Sequence, residues 1–343
     1  VRRALTVRTG FVSVRIDRRM LVLAAVMLTV IVALALWAVT LGSFPISVGQ
    51  VADTLLGGGG KAARKVVWEW RGPRIAAAIL FGALLGMSGA VFQSLTRNPL
   101  GSPDVIGFNA GSYTGVVVAM MLGASGYAAT VSAAVVGGLI AAVIVYALAF
   151  RDGVSGTRLI LVGIAISLFF GGLNQWFAVT ADVDEALRAA VWGAGSLAKV
   201  TPAAVAVAAA IALAALVIMP VAQRWMSMLE LGDDTAAMLG LRLERTKALL
   251  VVFGILTTAV VTATAGPIAF VALAAPQIGR RLRGRGASVD LLSAALTGAL
   301  ILLAADIVAQ HALPGILLPV GAVTVCAGGA YLLWLLAVEG RRR

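Results

Sequence analysis

A chain of 343 residues that is 61% hydrophobic and 12% charged, with a mean hydropathy of +1.01, lies outside the range of water-soluble domains, in which about a quarter of residues are charged. That excludes an ordinary soluble enzyme and indicates a chain that crosses a membrane repeatedly. A formal charge of +12 would suggest nucleic acid as the partner of a soluble protein, but here the basic residues gather at the ends of apolar runs, where they anchor loops at anionic lipid; membrane lipid is the expected partner and nucleic acid is not.

Residues 1–20 form a basic tail, too polar for the apolar region of a signal peptide, so the first span is expected to stay as an uncleaved anchor. Apolar runs follow near 20–41, 75–95, 105–123, 128–150, 158–179, 202–222, 247–265, 267–279, 291–310 and 316–338, the eighth being short. About 20 apolar residues cross the roughly 30 Å hydrocarbon layer as a helix. The expected fold is therefore an all-α polytopic membrane protein with about ten transmembrane helices and both termini cytoplasmic. It comprises the tail 1–20, a single transmembrane domain 21–338 and a basic tail 339–343. With the amino terminus inside, the inner segments collect most of the 27 Lys and Arg, as cytoplasmic retention of basic residues requires. One cluster departs from this pattern: Lys61, Arg64, Lys65, Arg71 and Arg74 crowd between the first two spans, on the outer side.

The second run carries Gly82, Gly86, Ser88, Gly89 and Gln93, residues that lipid contact alone does not select, so this helix is expected to be surrounded by others. Just before it, Gly57-Gly58-Gly59-Gly60-Lys61 imitates a phosphate-binding loop. The match fails because Leu55 stands where the first glycine belongs, Ala62 where the magnesium-binding hydroxyl belongs, and the loop lies outside. No nucleophile and base, paired carboxylates or metal-spaced His/Cys cluster appears. His311, the single histidine, reads as a solvated or capping group; Asp306 reads either as a functional intramembrane acid or as a partner of nearby backbone. Cys326 is the lone cysteine, which rules out an internal disulfide.

In the fifth run Gly163, Ser167, Phe170 or Gly171, and Asn174 recur at helical spacing. Such a weakly polar stripe suits either a polar pathway or close packing of helices. The inner loop Met228 to Gly240 reads as two short helices, with Gly232 as the break, Asp233 or Asp234 capping the second helix, and Gly240 stopping it. Its Leu231, Met238 and Leu239 could be buried against a cytoplasmic partner; an amphipathic helix on lipid headgroups is the competing account.

Five motifs in order, RGPR at 71–74, GALLGMSGAVFQSLTRNPLGSPDVIG at 82–107, LGDDTAAMLGL at 231–241, GPIAFVALAAPQIGRRL at 266–282 and LPVGAVTV at 318–325, give a chain that resembles the FecCD-type permeases. These are the transmembrane subunits of ABC importers for vitamin B12, haem and ferric siderophores, and the likeness runs from about Trp68 to Leu336. GSPDVIGFNAGSYTG, WGAGSL and LELGDDTAAMLG look closest to the ferric-enterobactin permeases. Three positions depart from the family pattern: Gln277 replaces a histidine, Leu317 a glutamate, and Gln310 an arginine that receives the binding protein, so no charge pair is expected at that last position.

The resemblance implies an importer of the bacterial cytoplasmic (inner) membrane. Arg71 and Arg74 would receive acidic side chains of an extracytoplasmic siderophore-binding lipoprotein, with Lys61, Arg64 and Lys65 steering it; snorkelling to headgroups is the alternative for the two arginines. Asn98 and Leu100 match positions that constrict the inner end of the pathway, and Gly163, Ser167, Phe170 and Asn174 of the fifth run are the candidates for its lining. Two ATPase subunits would grip the coupling helices, about 227–241, at Leu231, Gly232, Asp233, Asp234, Met238, Leu239 and Gly240. No cofactor is expected on this chain, with ATP and Mg on the ATPases, and a second FecCD-type permease, a different chain, completes a heterodimer around ferric siderophore. Import of vitamin B12 or haem is the nearest alternative, and an ion-coupled secondary transporter a remoter one.

Overall fold

The computed structural model describes residues 4–9, 12–42, 44–124, 126–149, 156–284, 288–313 and 315–340. Arg341 to Arg343 of the expected carboxyl-terminal tail lie outside these residues, as do Arg2, Arg3, Arg151 and Arg285, which contribute to the charge asymmetry. The amino-terminal segment expected as a plain tail contains an antiparallel pair, β1 (Ala4–Thr9) and β2 (Val12–Asp17), with Ala4 opposite Asp17 and Thr9 opposite Val12. Its period-two alternation, as in Val-Ser-Val-Arg-Ile-Asp, is the strand pattern, which the segment's charge masks.

The remaining elements are helical: α1 (Arg18–Thr40), α2 (Val48–Leu55), α3 (Lys61–Lys65), a π-helical turn (Val66–Arg71), α4 (Gly72–Thr96), α5 (Phe108–Met121), α6 (Tyr127–Ala149), α7 (Gly156–Thr180), α8 (Val183–Gly193), α9 (Pro202–Glu230), α10 (Asp233–Met238), α11 (Leu243–Ala265), α12 (Val271–Arg283), α13 (Leu291–His311) and α14 (Val320–Gly340). Among the described residues seven helical stretches are long and apolar enough to cross a membrane: Arg19–Thr40, Lys61–Thr96, Tyr127–Ala149, Gly156–Thr180, Pro202–Glu230, Leu243–Ala265 and Leu291–His311. The chain is a multi-pass helical membrane protein.

The other three apolar runs hold helices that fall short of a full apolar crossing. α5 has 14 residues and α12 has 13, about 20 Å each at 1.5 Å per residue, short of the roughly 30 Å layer; the third is Val320–Trp334. Backbone chemistry sets their starts. Pro99 and Pro103 cannot donate to a helical ladder, and the chain turns into α5 only at Gly107, whose φ is 80°. In the same way Gly266, at φ 74°, leads into Pro267, and α12 begins after Phe270 at φ 76°.

α4 is the centre of the bundle. Its apolar stretch is 78% buried within the chain, against 11% for α7, so α4 is an internal rod and α7 presents most of its surface outward. It packs chiefly on α13, with α11, α12 and α9 around the rest. Close approach explains its glycines: a Cβ on Gly82 would lie 2.3 Å from the Gly298 carbonyl oxygen, and one on Gly89 only 1.7 Å from that of Ala272. Small residues at such seams let helix backbones touch where lipid supplies no hydrophobic drive. Two polar groups of the span find partners inside: Ser88 Oγ donates to the Gly254 carbonyl at 2.8 Å and accepts from Thr258 Oγ1 at 2.8 Å, and Gln93 Nε2 donates to the Leu273 carbonyl at 2.9 Å. An unsatisfied polar group in such surroundings costs several kcal/mol.

Candidate functional site

The ends of α4 define two clusters, an upper one at Lys61–Arg74 and a lower one at Arg97. At the upper end, Ser47 and Gln50 form a reciprocal cap on α2, and the glycine run that follows spends its amides on the protein itself. Gly58 N–H donates to the Asp53 carbonyl at 2.8 Å and Gly57 N–H to that of Thr54 at 3.3 Å. α3 then exposes Lys61, Arg64 and Lys65, and the π-helical turn exposes Trp68, Glu69 and Trp70. The Lys65 ammonium stands 5.8 Å from the centre of the Trp70 ring, within reach of a cation–π contact.

Arg71 and Arg74 do not join that exposed group. The Arg71 guanidinium donates to the carbonyls of Val39 at 2.7 Å and Phe44 at 2.8 Å, satisfying one of the carbonyls that the end of α1 leaves without an intrahelical partner. Arg74 grips Asp306 from two nitrogens, Nη2 to Oδ1 at 2.8 Å and Nε to both oxygens at 3.1 Å. Gln310 Nε2 donates to the same carboxylate at 2.7 Å. With Asp306 1% exposed and Arg74 15%, this is a buried fork-to-carboxylate pair. One expectation needs correction here. Asp306 serves as counter-ion to Arg74, across 232 residues of sequence, and not as a partner of neighbouring backbone. His311, as a capping group, places Nδ1 2.9 Å from the Ile307 carbonyl oxygen.

At the lower end the coupling segment differs from two short helices: α9 runs unbroken from Pro202 to Glu230, and α10 alone is short. Gly232, at φ 107°, is the residue before α10 and makes the break; neither Asp233 nor Asp234 caps, because both already lie in its first turn. Asp233 instead accepts from Arg97 Nη2 at 2.5 Å and from Lys247 Nζ at 2.8 Å. Partial burial pushes the Asp233 carboxyl up, but the hydrogen bond and charge of Lys247, then the charge of Arg97, outweigh it and hold the group below the usual carboxylate range. Leu231, Met238 and Leu239 are 61%, 82% and 56% exposed, and Asp234 and Gly240 are exposed beside them. Three large apolar side chains beside an acidic group make a contact surface that this chain leaves uncovered.

Next to Arg97, the Asn98 side-chain oxygen accepts from the Leu100 amide at 2.9 Å, and Gln277 Nε2 donates to the Pro99 carbonyl at 2.7 Å. Leu100 is 51% exposed. The stripe on α7 faces inward: Gly163 abuts the backbone of Val105 and Ile106, Ser167 lies against Gly107, and Asn174 accepts from Thr114 Oγ1 at 2.7 Å. Phe170 packs edge-on against Phe169. Gly163, Ser167 and Asn174 thus pack closely against α5 and the segment before it. The outward face of α7 carries Leu161, Ile164, Leu168, Phe169, Gly171, Gly172, Gln175 and Trp176.

Asp104 has no counterpart in the sequence reading. It sits between the two helix breaks, takes a hydrogen bond from Asn109 Nδ2, and Asn109 accepts from Thr262 Oγ1 at 3.0 Å. The signal available was an acid inside the Pro-Asp-Val-Ile-Gly run, between Pro103 and Gly107. Two larger cavities open at the two ends: one of 770 Å³ above, with Tyr127, Glu185, Arg188, Trp192 and Lys199 on its wall, and one of 400 Å³ below, walled by Ser94, Arg97, Asn98, Glu230 and Arg280.

This arrangement of helices around a buried central rod is an ABC-transporter permease fold. A solved structure described as a metal-chelate type ABC transporter in an inward-facing conformation superposes with a TM-score of 0.82 at 25% identity, covering 92% of this chain and 99% of that one. The FecCD transport family matches residues 24–338, and the chain belongs to that family. It is 43% identical over 328 residues to the ferric enterobactin transport system permease protein FepG of Escherichia coli (strain K12), covering 96% of this chain and 99% of that protein. Identity is 33% to the iron(3+)-hydroxamate import system permease protein FhuB of the same strain, over 79% of this chain and 41% of FhuB. It is 31% to the iron(3+)-hydroxamate import system permease protein FhuG of Bacillus subtilis (strain 168), over 92% and 96%.

Proposed function

We propose that this chain is the non-catalytic permease subunit of an ATP-driven importer of ferric siderophore. The observation that carries the reading is the FecCD match over 24–338 joined to 43% identity with a ferric enterobactin permease across nearly the full length of both chains. Ten membrane-embedded helices, α1, α4, α5, α6, α7, α9 and α11 to α14, would then place both termini in the cytoplasm of a bacterium and the upper cluster outside its inner membrane. α5 and α12 would reach across together with the irregular segments that precede them, which the protein interior shields from lipid.

On this reading an extracytoplasmic siderophore-binding lipoprotein docks on the upper end. Lys61, Arg64 and Lys65 are exposed cations that steer its acidic face, while Arg71 and Arg74 shape the platform from beneath through α1 and α13. Two ATPase subunits, which hold ATP and Mg, grip Leu231, Met238, Leu239 and the adjoining Asp234 and Gly240. A second FecCD-type permease, a different chain, covers the outward face of α7, so that Gly171, Gly172 and Gln175 border the pathway and Asn98 and Leu100 mark its inner end. The two states exchanged by ATP must bind the ATPase pair differently for hydrolysis to drive transport.

The experiment is uptake of radiolabelled ferric catecholate, ferric hydroxamate, haem and vitamin B12 in cells deleted for this chain and then complemented with it. Restored uptake of a ferric siderophore alone is expected; restored uptake of haem or vitamin B12 alone refutes the cargo assignment.

A further inference from the structure

The lower ends of α4 and α11 meet at one carboxylate of α10, and Arg97 ties α9 to the same junction. Arg97 closes α4 with φ 49° and ψ 32°, one of two left-handed non-glycine residues among those described. That conformation, unfavourable for a residue with a Cβ, carries the guanidinium back under the bundle. There Nε donates to the Leu229 carbonyl of α9 at 3.2 Å and Nη2 to Asp233 of α10 at 2.5 Å. The second Asp233 oxygen takes the Lys247 ammonium of α11 at 2.8 Å, whose side chain is 8% exposed against 39% for Asp233. Lys247 thus has its charge held almost out of water.

The residue that follows Arg97 is Asn98, whose side chain fixes the Leu100 amide, while Pro99 is held by Gln277 of α12. A displacement of α10 therefore has a direct route, through two charge-assisted bonds, into the segment 98–100. Beside that segment lies the 400 Å³ cavity walled by Arg97, Asn98 and Pro99, which leaves it room to move. Ser94 Oγ, buried on the same wall, has no hydrogen-bond partner in this arrangement, so a second position of the segment could satisfy it. None of these groups lies on the exposed apolar surface of Leu231, Met238 and Leu239.

We infer that the Arg97–Asp233–Lys247 triad is the linkage that converts movement of α10 into movement of the inner constriction at Asn98–Leu100. Asp233 acts as a positioning residue inside the chain, not as a contact for the ATPase. The inference rests on the importer reading and deepens it. Energetic coupling along the route is a claim about a two-state element that both ends bias, and it needs a direct measurement.

Two measurements on the full importer complex test it. Spin labels on Leu100→Cys and Ala237→Cys, in a Cys326→Ser background, report the distance between constriction and α10. Asp233→Asn combined with Lys247→Met removes both the carboxylate and the ammonium of the linkage. A single narrow distance distribution that broadens in the double variant is expected; identical distributions overturn the inference, whatever the cargo. In vesicles, ferric siderophore imported per ATP hydrolysed should fall at least tenfold in the double variant and in Arg97→Gln. A ratio within twofold of the native one overturns the linkage. So does loss of the ATPase from the purified variant, which makes Asp233 a partner contact. Failure of the native complex to import at all refutes the importer reading, and the spin-label distances still decide the linkage.

Discussion

Replacing Asp306 with alanine removes the counter-charge of Arg74 and leaves a guanidinium 15% exposed with three of its contacts gone. Breaking a buried pair from one side costs about 3–5 kcal/mol, because the surviving charge stays desolvated. The residual exposure of Arg74 gives it some access to water, so the lower figure, about 3 kcal/mol or roughly a hundredfold in the folding equilibrium, is expected. Arg74→Met with Asp306→Leu deletes both charges and should come within about 1 kcal/mol of the native protein, as apolar replacements of buried pairs do. Denaturant titration of the detergent-solubilised chain measures all three. A cost below about 1 kcal/mol for Asp306→Ala would refute the claim that the pair clamps α4 to α13. Capture of the binding protein by the stable double variant then separates roles: retained capture keeps Arg74 as a structural residue, and lost capture makes it a docking residue.

Glutamate at Lys61, Arg64 and Lys65 together should slow association with an acidic binding protein at least tenfold at low salt and reverse its salt dependence, so that added salt speeds it, measured by surface plasmon resonance; unchanged kinetics defeat the steering role. Gly89→Leu should prevent folding, since even a Cβ there meets the Ala272 carbonyl at 1.7 Å. Gly171→Leu, with nothing within 4 Å of its Cβ, should leave the isolated chain folded and break its pairing with a second permease, as size-exclusion of both reports. Leu239→Asp should strip the ATPase from the complex, and its retention would remove that surface from the contact. Asp233 has a folded pKa below its unfolded one, so its contribution to stability is complete above the usual carboxylate value, near 4, and fades as pH falls through the depressed value. The melting temperature of Asp233→Asn should therefore converge with that of the native chain only below about pH 4; convergence near pH 6 would contradict the assigned pairing.

Much of the fold was legible because a membrane imposes a simple rule on sequence. Each apolar run contains a helix, and the glycines of α4 announced an internal helix by their incompatibility with lipid contact. Length was less legible: Gly107 and Pro267 are small or apolar enough to sit within a hydrophobic run, yet the helix inside that run begins only after them. Charge was legible as a cluster but not as a pattern of use. Nothing within Arg-Gly-Pro-Arg tells that Arg71 will turn to carbonyls at the end of α1 or that Arg74 will find Asp306, a partner 232 residues away. Asp233 posed the same difficulty. Local grammar offers a helix cap, and only the tertiary approach of Arg97 and Lys247 makes it a junction. The α7 stripe has a period that announces a face without saying which neighbour the face meets.

The central claim is that this chain is a conduit opened by ATPases bound at one end and loaded by a binding protein at the other. The most direct measurement is accumulation of labelled ferric siderophore in proteoliposomes against its own gradient, with the permease pair, ATPase, binding protein and ATP present or withheld one at a time. Uphill accumulation only when all are present is the predicted result. Uphill accumulation by the lone chain without ATP would contradict the account.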